Sequence, residues 1–320
     1  MVVHKGETVY ARAAGLSDRA AGIAMHEDQI FRLASVTKPY VAAATMRLAE
    51  DGRLDLDSEV TRYLPDFRPP APDGSRPTIT LRQLLSHTSG LSVGFMGPAG
   101  NAYHVNAVSD GLDQPGLSMA ENLRSIGETP LLFRPGTARC YSVGLDVLGA
   151  ALEVITDLPL PGIVDRLVTA PLGMTDTAFA VKDPARLAKA YAGTPDGPIE
   201  MYDGIEIAAF KSFARLAPSR ILNPASFASG GSGMAGTAAD VTTFLEAMRL
   251  GGGPILRPAT VADMRRNQGV PGQCVRPGSG SATAGTSSAI PPAARRPRAW
   301  ARCNRAASTV TTGSWTQSMT

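Results

Sequence analysis

The chain has 320 residues, 43% apolar, 18% charged and 6% aromatic, with a formal charge of +3. That length and apolar share can fill a large core in one or two domains, which excludes a fibrous or low-complexity chain. No apolar run approaches the roughly 20 residues of a membrane-spanning helix, and no apolar signal stretch follows a basic start, so a cytoplasmic location is expected.

The charge is uneven along the chain. From Met264 to Thr320 there are eight arginines and no Asp, Glu or Lys, so this segment carries +8 and residues 1–263 carry −5. A basic tail can bind nucleic acid or an anionic surface. This one lacks a recognition motif, a heptad pattern, or lysines mixed with aromatics, so neither nucleic acid nor a membrane is expected as partner. Cys140, Cys274 and Cys303 have no CxxC spacing and read as free thiols. The four histidines, His4, His26, His87 and His104, lack metal-ligand spacing and read as structural or surface residues. No metal or cofactor is implied.

In chain order, residues 1–15 alternate around Lys5-Gly6 as two strands and a tight turn. Ser35 to Glu50 reads as a helix ended by Gly52. Thr80 can cap a second helix carrying Leu81, Leu84 and Leu85. A Gly-rich loop runs from Gly90 to Gly116, and Ser118 caps a helix through Ile126. Val143 to Thr156 is amphipathic, Ile163 to Val168 reads as another helix, and Ala178 to Val181 as a short strand. Thr237 caps a helix to Leu250, closed by Gly251-Gly252-Gly253. Arg257 to Asn267 is the last helical pattern.

After Asn267, Leu, Phe and Tyr vanish, and Gly, Pro, Ser, Thr, Ala and Arg take over. Such a segment buries too little apolar surface to offset its ordering entropy. It reads as a flexible tail or as the product of a coding-frame slip. The second reading is preferred, because the break follows a well-formed helical pattern.

Four motifs could carry chemistry. Ser35-Val36-Thr37-Lys38 is an SxxK, whose hydroxyl and amine share one helix face. An amine taken out of water can act as a base, and a helix start offers free N–H groups beside the hydroxyl. Against a capping Ser and a solvated Lys stands the scarcity of lysine, five against 26 arginines. Tyr141-Ser142-Val143 follows the turn Phe133 to Thr137 and could point a phenol into a cleft, although a core Tyr is the plainer reading. Gly90 to Gly94 is a GxSxG, but a helix precedes it and no histidine follows His104, so Ser92 reads as a loop residue. Gly231 to Gly236 is a GxGxxG without a clear strand before it, and reads as a tight loop into a capped helix.

SVTK at 35–38 and YSV at 141–143 together resemble the serine β-lactamase and penicillin-recognising superfamily. Ile30 to Pro39, Leu84 to Leu91, Phe133 to Thr137, Pro171 to Phe179 and Gly230 to Phe244 resemble it in the same order. The nearest likeness is to its ester-cleaving branch, the family VIII carboxylesterases. The resemblance implies a mixed α/β (α+β) fold, β-lactamase/transpeptidase-like, with an antiparallel sheet flanked by helices and an inserted helical domain. It places residues 1–60 and 171–267 in a discontinuous α/β domain, 61–170 in the helical domain, and 268–320 in the anomalous tail. It also implies a helix and part of a strand ahead of Met1.

The same resemblance makes Ser35 the nucleophile, Lys38 its base partner and Tyr141 the proton shuttle to the leaving group, with the Ser35 N–H as one oxyanion donor. Val143 stands where β-lactamases carry an Asn that holds the lactam acylamide. No Lys follows Lys211, so the Lys-Thr-Gly strand is absent, and Thr311 to Trp315 imitates it too weakly to be assigned. The expected activity is hydrolysis of short-chain small-molecule esters through an acyl-serine. The alternatives are a β-lactamase or DD-peptidase, or a catalytically impaired paralogue with a damaged C-terminus. The 90–116 loop and the helical insertion shape the pocket without naming an acyl or alcohol preference, and the oligomeric state is not legible.

Overall fold

The computed structural model describes residues 1–210, 212–266 and 268. The expectations for the tail therefore lie outside the described residues, Gln268 excepted. Two hairpins open the chain. Strands β1 (Val2–His4) and β2 (Glu7–Tyr10) pair antiparallel around Lys5-Gly6, as their alternation implies. Strands β3 (Leu16–Asp18) and β4 (Ile23–Ala24) pair next. Strand β5 (Ile30–Arg32) leads through a single 3-10 turn, Ala34–Val36, into helix α1 (Thr37–Glu50). Ser35 thus sits in that turn, two residues before the α-helix in which the sequence pattern puts it.

Helix α1 is buried on nearly every side from Thr37 to Met46, so it is a central element rather than an amphipathic cover. Helices α2 (Leu81–Leu85), α3 (Ala102–Val105) and α4 (Met119–Glu128) follow, then α5 (Gly144–Thr156) and α6 (Leu160–Val164). Helix α5 is buried continuously from Gly144 to Leu152 and packs against α1, α2 and α6. The core runs through Leu48, Leu81, Leu84, Leu145, Leu148 and Leu152. The helix expected over Ile163–Val168 begins earlier, after Pro159, and ends in a wider π turn at Asp165–Thr169. Pro161 in its first turn suits a helix start, where a missing N–H costs nothing.

Two hairpins come next: β6 (Tyr191–Thr194) with β7 (Gly197–Glu200), and β8 (Ile205–Ala209) with β9 (Ser212–Leu216). Strand β10 (Ala235–Thr237) then pairs antiparallel with β5, and Thr237 caps helix α7 (Ala238–Arg249). Helix α8 (Pro258–Met264) is shorter than the 257–267 pattern. The strand expected at Ala178–Val181 is a correction. Only Ala178 pairs, bridging Ala235 through bonds of 3.0 and 2.9 Å, because the chain bends away at once. Among the described residues, no single helix is long and apolar enough to cross a membrane.

Helix α2 starts at a reciprocal cap. The Gln83 N–H donates to Thr80 Oγ1 at 3.2 Å, and the Thr80 N–H donates to Gln83 Oε1 at 2.9 Å. Thr80→Ala should therefore cost about 1 kcal/mol in the free energy of urea unfolding, and Thr80→Ser only a few tenths.

Candidate active site

Strand β5 ends against β10, where the Leu33 N–H donates to the Met234 carbonyl at 2.8 Å. Ala34 then takes a left-handed φ of +46°, rarely adopted by a residue with a side chain. That kink swings Ser35 out of the strand direction and onto the first turn before α1. Lys38 lies one turn further and is only 2% exposed. Its Nζ reaches Ser35 Oγ at 3.3 Å and donates to the Gly231 carbonyl at 2.7 Å. Tyr141 comes from the segment before α5, and its hydroxyl lies 2.5 Å from Ser35 Oγ. The Lys38 amine also sits 4.5 Å from the centre of the Tyr141 ring. Three residues spread over more than 100 positions thus meet at one hydroxyl.

The Gly230–Gly236 loop is the acceptor for the buried amine. A Cβ on Gly231 would stand 2.8 Å from Asp146 Oδ2, and one on Gly230 would stand 2.3 Å from the Leu145 carbonyl oxygen. Both glycines are required by this close approach to α5. The loop is tied from both sides: the Gly231 N–H donates to Asp146 Oδ1 at 3.2 Å, Ser229 Oγ donates to the same oxygen at 2.5 Å, and the Met234 N–H donates to Thr37 Oγ1 at 3.0 Å. Asp146 is 1% exposed, and burial pushes its carboxyl up while the Ser229 bond, the Lys38 charge and the Gly231 N–H pull it down. Arg220, Asp110 and Asp113 add further charge behind it, with burial raising both carboxyls.

Sequence reasoning missed Asp146, Ser229 and the role of Gly231. A buried acid in the first turn of an apolar helix, and the doubled glycine at 230–231, were the available signals. Of the structural and surface roles expected for His87, the structure shows the buried one, with its ring centroid 5.0 Å from that of Tyr141. Its Nδ1 lies 3.1 Å from Ser142 Oγ. The GxSxG serine is elsewhere: Ser92 is buried, its N–H donates to the Tyr103 hydroxyl at 2.6 Å, and its Oγ meets Cys140 Sγ at 3.6 Å. Val143 is buried as well, and its N–H donates to the Ser92 carbonyl.

Burial, then the charges of Lys38 and Arg139, hold the His87 imidazole well below its ordinary value, so it stays neutral when folded. When unfolded it takes a proton near pH 6.5. The unfolded state then binds the extra proton, so stability falls as pH drops below about 6.5. Urea unfolding between pH 7.5 and 5 should show a smaller loss of stability for His87→Gln than for the native chain.

Comparison with known proteins gives the family. The family model described as Beta-lactamase matches residues 1–294. The chain is 47% identical over 285 residues to esterase EstB of Burkholderia gladioli, covering 88% of this chain and 72% of that protein. The solved structure of EstCE1, described as a hydrolase with promiscuous acyltransferase activity, superposes with a TM-score of 0.79 at 41% identity, covering 82% of this chain and 70% of the other. An octameric penicillin-binding protein homologue from Pyrococcus abyssi shares the fold at 20% identity, with a TM-score of 0.63 over 84% of this chain and 56% of the other. A Ser, a Lys and a Tyr meeting at one hydroxyl, in a chain matched over most of its length, place this protein in the Beta-lactamase family.

Proposed function

We infer that the chain is a serine carboxylesterase, with Ser35 as nucleophile and Lys38 and Tyr141 as its proton-transfer partners. The observation that carries this reading is the contact of Ser35 Oγ with both the Tyr141 hydroxyl and the Lys38 amine. Ser35 Oγ attacks the ester carbonyl carbon while its proton leaves through the Lys38–Tyr141 pair. The tetrahedral oxyanion forms beside the Ser35 N–H. Collapse breaks the carbonyl–alkoxy bond, and the departing oxygen takes a proton from the Tyr141 side. Water then gives a proton to the same pair and attacks the acyl carbon; the acyl–Oγ bond breaks, the carboxylic acid leaves, and the pair returns the proton to Ser35 Oγ.

Two features favour an ester over a lactam. The relative at 47% identity is an esterase. Val143, 2% exposed and apolar, offers no side-chain donor or acceptor to an acylamide. The substrate class is small-molecule esters.

Four outcomes are expected. An organophosphonate should label Ser35, as peptide mapping would show, and Ser35→Ala should lose at least about 10³-fold in kcat/KM for 4-nitrophenyl butyrate. Label on another residue, or turnover that survives Ser35→Ala, would discard the mechanism. Tyr141→Phe keeps the ring but deletes the hydroxyl, and should cost about 10²–10⁴-fold in kcat. Gly231→Ala forces a methyl toward Asp146 and shifts the Lys38 acceptor, for an expected loss of about 10²-fold in kcat/KM while the labelling site is unchanged.

A further inference from the structure

Beyond the triad, aromatic rings continue outward from Tyr141. Phe95 lies in the turn Gly94–Met96, with its ring centroid 6.5 Å from that of Tyr141 and the planes tilted by 41°. Phe210 follows β8 at the turn of the β8–β9 hairpin, 5.8 Å from Phe95 and within 14° of parallel. Tyr141, Phe95 and Phe210 therefore form a series from the nucleophile to the surface. Phe210 is 62% exposed and has a φ of +51°, a backbone state that bulky residues rarely adopt. A surface turn gains nothing in stability from an exposed phenyl ring held that way.

The two supports are fixed to each other. Strand β9 packs on the Gly94–Met96 turn. His104 of α3 stacks on Phe213 of β9 at 4.7 Å and 9°. The same imidazole closes on Gly94, where a Cβ would stand 2.8 Å from His104 Nε2. Asn101 Nδ2 donates to the Gly94 carbonyl at 2.7 Å. Phe95 is thus presented by a braced turn rather than a loose one.

Direction follows from the chemistry. The departing alcohol oxygen is protonated from the Tyr141 side, so the alcohol substituent extends past Tyr141, where Phe95 and then Phe210 stand. Flat ring faces reward another flat ring beyond what simple burial of an alkyl group gives. We propose that Phe95 and Phe210 form an aromatic subsite for the alcohol half of the substrate, selecting esters whose alcohol carries an aryl ring. This rests on the acyl-Ser35 reading above.

The test compares three acetates of similar intrinsic reactivity: ethyl, 2-cyclohexylethyl and 2-phenylethyl. Acetic acid release by the full chain is followed in a pH-stat. The phenylethyl ester should exceed the ethyl ester by about tenfold in kcat/KM, and the cyclohexylethyl ester by a smaller factor. Phe95→Leu and Phe210→Leu should each cut the phenylethyl-to-ethyl ratio about two- to tenfold, mainly through KM, while Phe210→Tyr keeps it. Retention in the Tyr variant separates loss of a ring from a folding defect. An absent phenylethyl preference, or a ratio unchanged in both Leu variants while ethyl acetate turnover still requires Ser35, overturns the subsite and leaves the esterase standing. Failure to cleave any of the three esters, or cleavage that survives Ser35→Ala, overturns the esterase reading and the subsite with it.

Discussion

A buried amine must be given acceptors. Lys38 is almost fully withdrawn from water, and an unpaired ammonium there would cost several kcal/mol. The chain meets that demand with one backbone carbonyl, that of Gly231, and one hydroxyl, that of Ser35. Every other feature of the site follows from bringing these two acceptors to one amine. The Gly230–Gly231 pair exists because any side chain would collide with α5. Asp146 and Ser229 hold the loop at that height, and the β5–β10 pairing holds its far end to the strand that precedes Ser35.

The same restraint orders the reactive groups. The 3-10 turn and α1 together put Ser35 and Lys38 on one face, so their spacing needs no tertiary contact. Tyr141 needs several. Its segment is fixed by α5, by the His87 ring against its own, and by the Ser142 bond to His87. Burial above all keeps that imidazole neutral, so it backs the Tyr141 ring as an uncharged face. The phenol therefore arrives from a distant element but against a stiff backing, which is what repeated proton transfer at one hydroxyl requires.

Farther out the architecture changes character. Around Lys38 the packing is glycine, backbone and buried polar groups. Beyond Tyr141 it becomes ring against ring on a braced turn and a hairpin. The inner part fixes the Ser35 hydroxyl, and the outer part is built of aromatic rings. Separating these two tasks lets the rim vary without disturbing the proton-transfer groups.

Several features were legible in the residues themselves. The caps at Thr80, Ser118 and Thr237 and the SxxK spacing depend on contacts three positions apart, and the first hairpin pairs Val2 with Tyr10 at most, so local sequence states them directly. The ordered segments around Ser35, Tyr141 and Gly230 carried the family resemblance. The hairpins between residues 191 and 216 are not legible in the sequence, because their short strands are half-exposed and their alternation is weak. The strand sought at Ala178 collapsed to one bridge, since pairing depends on how long the neighbouring chain stays alongside.

Sequence alone determined which residues could react, because a hydroxyl and an amine one turn apart are set by helix geometry. It could not decide that the Gly231 carbonyl accepts the hydrogen bond of the Lys38 amine, that Asp146 holds that loop in place, or that Phe210 reaches Phe95. Those contacts join residues about 80 to 190 positions apart. Their distances are set by how α1, α5 and the β10 loop pack, and no local pattern encodes that packing.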